Sequence, residues 1–197
     1  MANAKTMMSP KGTAVYPRIK TADTKFDENG IYKADIAVDA ADAADLMKRL
    51  QEVHKAHTGK PANASDNPMW VRETDSEGVE TGRIVFKFRV KNRITKKGEL
   101  WDRQPIVFDA KGHRIMDVPN IGGGSVLKVN FEVYEWNSGT KKGVSLQPLK
   151  VQLIDLVEFG GGESNPFEEE EGFTIDEDQE DFSAETSDAG GDDQEDF

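Results

Sequence analysis

Apolar and polar positions alternate most regularly between residues 83 and 94. Ile84, Phe86, Phe88, Val90, Asn92 and Ile94 fall on one face of a strand there. Arg83, Val85, Lys87, Arg89, Lys91 and Arg93 fall on the other, and five of those six are cationic. Same-face positions of a strand lie about 7 Å apart, a spacing close to the phosphate repeat of an extended single strand. Lys96-Lys97-Gly98 reads as a basic hairpin turn, and residues 100–109 return as a strand carrying Trp101 and Arg103.

The same period of two marks residues 126–136, with Leu127, Val129, Phe131 and Val133 on one face and Tyr134 and Trp136 on the other. Residues 137–143 read as a hairpin loop, and 144–157 as a final long strand in which Pro148 predicts a bulge or an exposed edge. Towards the start, 13–19 reads as a short strand confined to an edge by Pro17, and Asn29-Gly30 as a turn leading into a strand at 31–38.

One segment changes period. Ala43, Leu46, Met47, Leu50, Val53 and His57 recur at three and four, which predicts a helix with Asp42 as N-cap and Gly59 as its stop. His54 and His57 on it read as surface or half-buried histidines, since no ligand-rich cluster accompanies them. Residues 60–67 read as a loop and 75–82 as a polar turn. Ile121-Gly122-Gly123-Gly124-Ser125 lacks the Gly-Lys-Ser/Thr of a phosphate loop and reads as a sharp reversal into the next strand.

Six or seven strands, mostly hairpin-linked, with one long helix predict a mainly-β chain. A partly open five-stranded barrel of the OB type, with added strands, fits best. A parallel sheet would need a helix at each crossover, and only one helix is visible.

Charge divides the 197 residues in two. The formal charge is −12, from 25 Lys+Arg and 37 Asp+Glu. From Gly160 to Phe197 there are 16 acidic residues and no Lys or Arg, so the other 21 acids face all 25 bases in residues 1–159, a net of +4. Residues 1–159 are therefore expected to form the folded domain. Residues 160–197, hinged at Gly160-Gly161-Gly162 and poor in aliphatics, are expected to be a disordered tail. Phe167, Phe173, Phe182 and Phe197 punctuate that acid. Solubility alone has no use for phenylalanine, so the tail reads as a docking segment.

The chain has no cysteine, which excludes disulfides, thiolate zinc sites and cysteine nucleophiles. Three histidines and carboxylates concentrated in the tail offer no catalytic or metal site, and no cofactor is expected. No apolar run is long enough for a membrane span, so a cytoplasmic protein is expected. Residues 83–103 hold eight bases against Glu99 and Asp102, where a solvated outer face is normally mixed in sign. Cations for a phosphate backbone beside aromatic faces for bases are what a single-strand groove requires.

In order along the chain, Gly12-Thr13-Ala14, Gly30-Ile31-Tyr32-Lys33, Phe86-Lys87-Phe88-Arg89, Asp117-Val118-Pro119, Ile121-Gly122-Gly123-Gly124-Ser125, Tyr134-Glu135-Trp136-Asn137, Phe159-Gly160-Gly161-Gly162-Glu163 and Asp196-Phe197 are specific together. They resemble the T7-type phage single-stranded DNA-binding protein family over nearly the whole chain, least from the helix to Trp70.

The resemblance implies an OB-fold, a homodimer, and binding and annealing of single-stranded DNA in phage replication, recombination and repair. It also implies an acidic tail that contacts replication proteins such as DNA polymerase and primase/helicase. It places Lys87 and Arg89 in the DNA groove and makes Tyr134 and Trp136 stacking residues. Lys91, Arg93, Trp101 and Arg103 join them from the charge pattern. At the end of the tail, Phe197 is the expected anchor among Asp192, Asp193, Glu195 and Asp196. Asn29 stands where the family pattern suggests a basic residue and Lys91 where it suggests an aromatic one, so charge or Trp101 has to compensate. The competing reading is an acidic DNA mimic or host-interaction protein acting through its tail, for which the cationic strand would have no purpose.

Overall fold

Thirteen strands and one α-helix make up the regular structure that the computed structural model describes, which covers residues 6–62 and 68–158. Positions 63–67 of the expected loop, and the acidic segment with its four phenylalanines, lie outside the described residues. The strands before the helix are β1 (Thr6–Met8), β2 (Gly12–Ala14), β3 (Arg18–Asp23), β4 (Ile31–Lys33) and β5 (Ile36–Asp39), followed by α1 (Ala40–Thr58). After it come β6 (Trp70–Thr74), β7 (Glu80–Phe86), β8 (Arg89–Lys91), β9 (Arg93–Ile94), β10 (Leu100–Trp101), β11 (Ile106–Phe108), β12 (Val126–Ser138) and β13 (Lys141–Asp155).

The strands exceed the expected six or seven because β1 and β6 lie outside the expected runs and four of those runs, 13–19, 31–38, 83–94 and 100–109, are interrupted. Run 13–19 breaks at Tyr16-Pro17, where Tyr16 has φ +47° and proline offers no N–H to a ladder. Run 31–38 breaks at Ala34-Asp35, where the Ala34 N–H turns aside to donate to the Phe88 carbonyl. Run 83–94 breaks around Lys87-Phe88, where the Lys87 N–H donates to Met69 O. Each break moves the chain between the large sheet and a small one. The large sheet has the order β11-β13-β12-β2-β5-β7-β6, with β1 also on β12; the small ones are β3-β4-β8 and β9-β10. Strands that change sheets make the corners by which a sheet curls over its core.

Alternation survives the breaks. Ile84, Phe86, Phe88, Val90 and Asn92 are all buried, while Ile94, expected on the same face, is 52 % exposed because the β9–β10 hairpin stands clear of the core. Phe88 packs on Phe86 and Phe131 at ring-centroid distances of 6.2 and 4.8 Å. These side chains are fully buried, each contributing about 1.5–3 kcal/mol relative to exposure.

Helix α1 buries Ala43, Leu46, Leu50, Val53 and His54, and Gly59 closes it at φ +74° by donating its N–H to Lys55 O. It starts earlier than expected, with Asp39 rather than Asp42 at the N-cap position, because Ala40 and Ala41 are strong helix formers that extend the first turn. His54 is buried deeper than expected, its Nδ1 against Lys60 O and Thr58 Oγ1. The β12–β13 hairpin is tighter than expected. Ser138 pairs with Lys141, which leaves Gly139-Thr140 as the whole turn. A register shift sets Phe131 opposite Pro148 just after Asn130 opposite Lys150, the bulge expected from the proline. The return through 100–109 is not one strand: β10 pairs β9, but β11 runs parallel to β13. That parallel pair needs no crossover helix because the β12 hairpin supplies the connection.

Candidate nucleic-acid interface

Tyr134 and Trp136 lie on the β12 face opposite Phe131 and Val133, as period two requires. Their surroundings differ. The Arg93 guanidinium carbon lies 5.7 Å from the centre of the half-buried Tyr134 ring. The Trp136 indole instead covers Gly143, its register partner on β13. A Cβ added there would sit 2.2 Å from an indole carbon, so only glycine lets the ring lie on the strand. The Trp136 carbonyl also accepts from His57 Nε2 at 3.2 Å, tying the strand to α1. Both side chains are half-buried, Tyr134 beside Arg93 and Trp136 packed on Gly143.

Arg103 joins this group. Its Nη2 donates to Gln147 Oε1 at 2.7 Å, its backbone N–H to Asn92 Oδ1, and its guanidinium lies 5.2 Å from the Trp101 ring centre. Burial and then the charge of Arg93 push Arg103 below its ordinary value, with Glu132 and Tyr134 opposing. Trp101 itself is 54 % exposed. Buried Asn92 holds the root of the β9–β10 hairpin by donating Nδ2 to Asn29 O. Arg93, Trp101, Arg103 and Tyr134 thus form one cluster in which two cations are placed over two aromatic rings.

The cations earlier in the pattern are arranged differently. Arg89 donates to Asp35, Lys91 Nζ lies 3.0 Å from Asp27 Oδ2, and Arg83 pairs with Glu73 at 3.5 Å. Lys87 forms no ion pair among the described residues and acts on Asp35 through charge alone. The expected row of bare cations is therefore partly countered by carboxylates. Burial pushes the Asp35 carboxyl above its ordinary value against hydrogen bonds from Arg89 and the Phe88 backbone, and its Oδ1 has no hydrogen-bond partner among the described residues. Asp27 and Asp23 are held below the ordinary value, first by hydrogen bonds from Lys91 and Lys33 respectively.

Sequence reasoning missed two cations. Arg18 pairs in register with Lys33, and Lys33 with Arg89, so three strands place one cation each in a single cross-strand row. Lys33 followed the strand turn at Asn29-Gly30 and Arg18 followed Pro17, but the pairing that aligns them is non-local. Among the described residues no group of three His, Cys, Asp or Glu could hold a metal ion, and no helix is long and apolar enough to cross a membrane. The tail residues Asp192, Asp193, Glu195, Asp196 and Phe197 lie outside the described residues.

A family model described as single-stranded DNA-binding protein, bacteriophage T7, matches residues 11–156. The single-stranded DNA-binding protein of Escherichia phage T7 is 31 % identical over 160 residues, covering 69 % of this chain and 66 % of its own length. That of Enterobacteria phage T3 is 32 % identical over 165 residues, covering 72 % and 68 %. The aligned stretch thus spans about two thirds of these relatives.

The crystal structure of gp2.5, a single-stranded DNA-binding protein encoded by bacteriophage T7, superposes with a TM-score of 0.60 at 30 % identity. It covers 88 % of this chain and 100 % of that one. A phage Enc34 single-stranded DNA-binding protein in complex with single-stranded DNA gives a TM-score of 0.54 at 13 % identity, over 79 % and 89 %, a likeness of fold. These structures bear out the mainly-β, OB-type architecture expected from the strand pattern.

Proposed function

The chain belongs to the bacteriophage T7 single-stranded DNA-binding protein family, and from that premise we propose that it coats single-stranded DNA without regard to sequence. The observation that carries the reading is the cluster of Arg93, Trp101, Arg103 and Tyr134, close in sequence to β8 with Arg89 and Lys91 and to Lys87 just before it. Aromatic faces stack on any base, and cations follow the phosphates. No step of covalent chemistry is involved; the protein is a binding module, as its relatives' names describe.

In this reading Arg93 and Arg103 hold the Tyr134 and Trp101 rings and meet phosphates beside the stacked bases. Lys87, Arg89 and Lys91 extend the phosphate track, and Trp136 supports the strand more than it touches a base. Annealing of complementary strands and a homodimeric state come from the family resemblance. The acidic segment 160–197 competes with DNA for the cations. When DNA displaces it, the segment is free to bind a polymerase or a primase/helicase through Phe197 and its flanking acids. Its 16 acids against a body of +4 support that exchange, because a tether keeps even a weak competitor at high effective concentration.

A gel shift comparing single-stranded with duplex DNA, with and without residues 160–197, tests the function. Preference for the single strand, retained on tail removal, is expected. Equal affinity for both forms, or binding that needs the tail, would overturn it.

A further inference from the structure

Tyr16 combines two properties that rarely meet in a large side chain. Its φ of +47° is left-handed, a costly conformation for a bulky residue, and it is 85 % exposed. Burial of the ring does not offset that cost. The surroundings fix the turn instead. Pro17 follows and is buried, the Ala14 N–H donates to Ser125 O, the Gly124 N–H donates back to Ala14 O, and the Val15 N–H donates to Asp35 O. Strained conformations held in this way concentrate at ligand-contacting positions.

The ring borders a pocket of about 290 Å³, lined by Tyr16, Pro17, Arg18, Ile121, Gly122 and Gly123 and mostly apolar. A smaller pocket of about 70 Å³ adjoins it, sharing Pro17, Arg18 and Ile121 and continuing along β3 past Lys20. The groove therefore has an aromatic edge, an apolar floor and the cations Arg18 and Lys20, the latter 3.7 Å from exposed Asp117 Oδ1. It is also continuous with the interface already described, since Arg18 begins the cross-strand row that passes through Lys33 to Arg89.

We propose that Tyr16 and this groove form a separate base-binding subsite, in which one nucleobase of a single strand stacks on Tyr16 while its flanking phosphates meet Arg18 and Lys20. The proposal rests on the single-strand-binding reading and extends its track across β3. The occupant is a nucleotide unit and not an apolar peptide, because Arg18 and Lys20 line the groove and Arg18 heads the register row to Lys33 and Arg89. The glycines opposite leave backbone, which tolerates any base.

The test uses the full chain and fluorescence anisotropy with a labelled oligo-dT long enough to cross both regions. Tyr16→Gly removes the ring and accepts the left-handed backbone, so the turn is kept. It should weaken binding about 5- to 150-fold, the range for one lost base stack, with the salt slope unchanged. Tyr16→Trp should restore affinity. Arg18→Ala should flatten the salt slope by about 0.7. On an oligomer of abasic sugars, Tyr16→Gly and the parent should bind alike.

Three outcomes overturn the subsite and leave the functional reading standing. They are wild-type affinity in Tyr16→Gly while Tyr134→Ala loses binding, an equal loss on the abasic oligomer, or a loss that accompanies a changed sedimentation coefficient. If the parent itself shows no preference for single strands, the functional reading has failed instead.

Discussion

Arg89 donates from Nη2 to Asp35 Oδ2 at 2.9 Å, joining a cation whose side chain is 48 % exposed to a carboxylate that is 11 % exposed. The two ends of this pair meet different solvents. Arg89 can keep its remaining N–H groups in water, whereas Asp35 has given up most of its hydration and its Oδ1 has no replacement among the described residues.

The first prediction concerns stability and pH. Burial raises the Asp35 carboxyl above its ordinary 3.8, so the folded state holds that proton more tightly than the unfolded state. Its contribution is then most favourable below 3.8 and falls as pH rises through the raised value. Asp35→Asn should be as stable as the parent at neutral pH, or more stable by on the order of 1 kcal/mol, and the difference should shrink on acidification. Thermal unfolding across pH measures it. A large loss at neutral pH would mean that pairing with Arg89 outweighs burial.

Salt dependence is the second. If about five cations meet phosphates, log affinity for single strands should fall against log salt with a slope near −3.5. Lys87→Ala combined with Arg89→Ala should weaken binding for every sequence and flatten that slope by roughly 1.4, at about 0.7 per contact. An unchanged slope in a folded double variant would place the phosphate track elsewhere.

The two outer tryptophans should answer differently to DNA. Trp101 is open to a base, so oligo-dT should quench tryptophan emission, and Trp101→Phe should remove most of that quenching. Trp136 lies on Gly143, so Gly143→Ala should displace the indole and destabilise the fold by about 1–3 kcal/mol. Quenching that survives Trp101→Phe in full would reverse the two roles.

Deleting residues 160–197 should tighten DNA binding, most at low ionic strength, where the competing acids are least screened. Deleting Phe197 alone should leave DNA affinity nearly intact and weaken capture of the polymerase or primase/helicase. Unchanged DNA affinity of the truncated chain at low salt would reduce the tail to a docking segment only.

Local pattern revealed the core and hid the corners. Alternation across residues 83–94 predicted the burial of Phe86, Phe88 and Val90, since side-chain parity persists when hydrogen-bond partners change. The sheet switches at Ala34-Asp35 and Lys87-Phe88 left no comparable mark, because they depend on which distant carbonyl captures an N–H. The counter-charges followed the same logic. Asp27 is 64 positions from Lys91 and Asp35 is 54 from Arg89, so only the fold reveals that these cations already have partners. Trp101 and Arg103 were visible as types; their mutual stacking at 5.2 Å was not.

The pairing of β1 with β12, Thr6 opposite Glu132, also sets the order in which the molecule can assemble. β2 likewise waits for Val126 and Leu127, and β11 for the far end of β13. A nascent chain that has not reached Val126 lacks the strand on which β1 closes, and its β2 is paired on the β5 side alone. Such a body folds late and as a whole, at the slow rates typical of distant strand pairing, and its first residues remain exposed to other chains until its last strands exist.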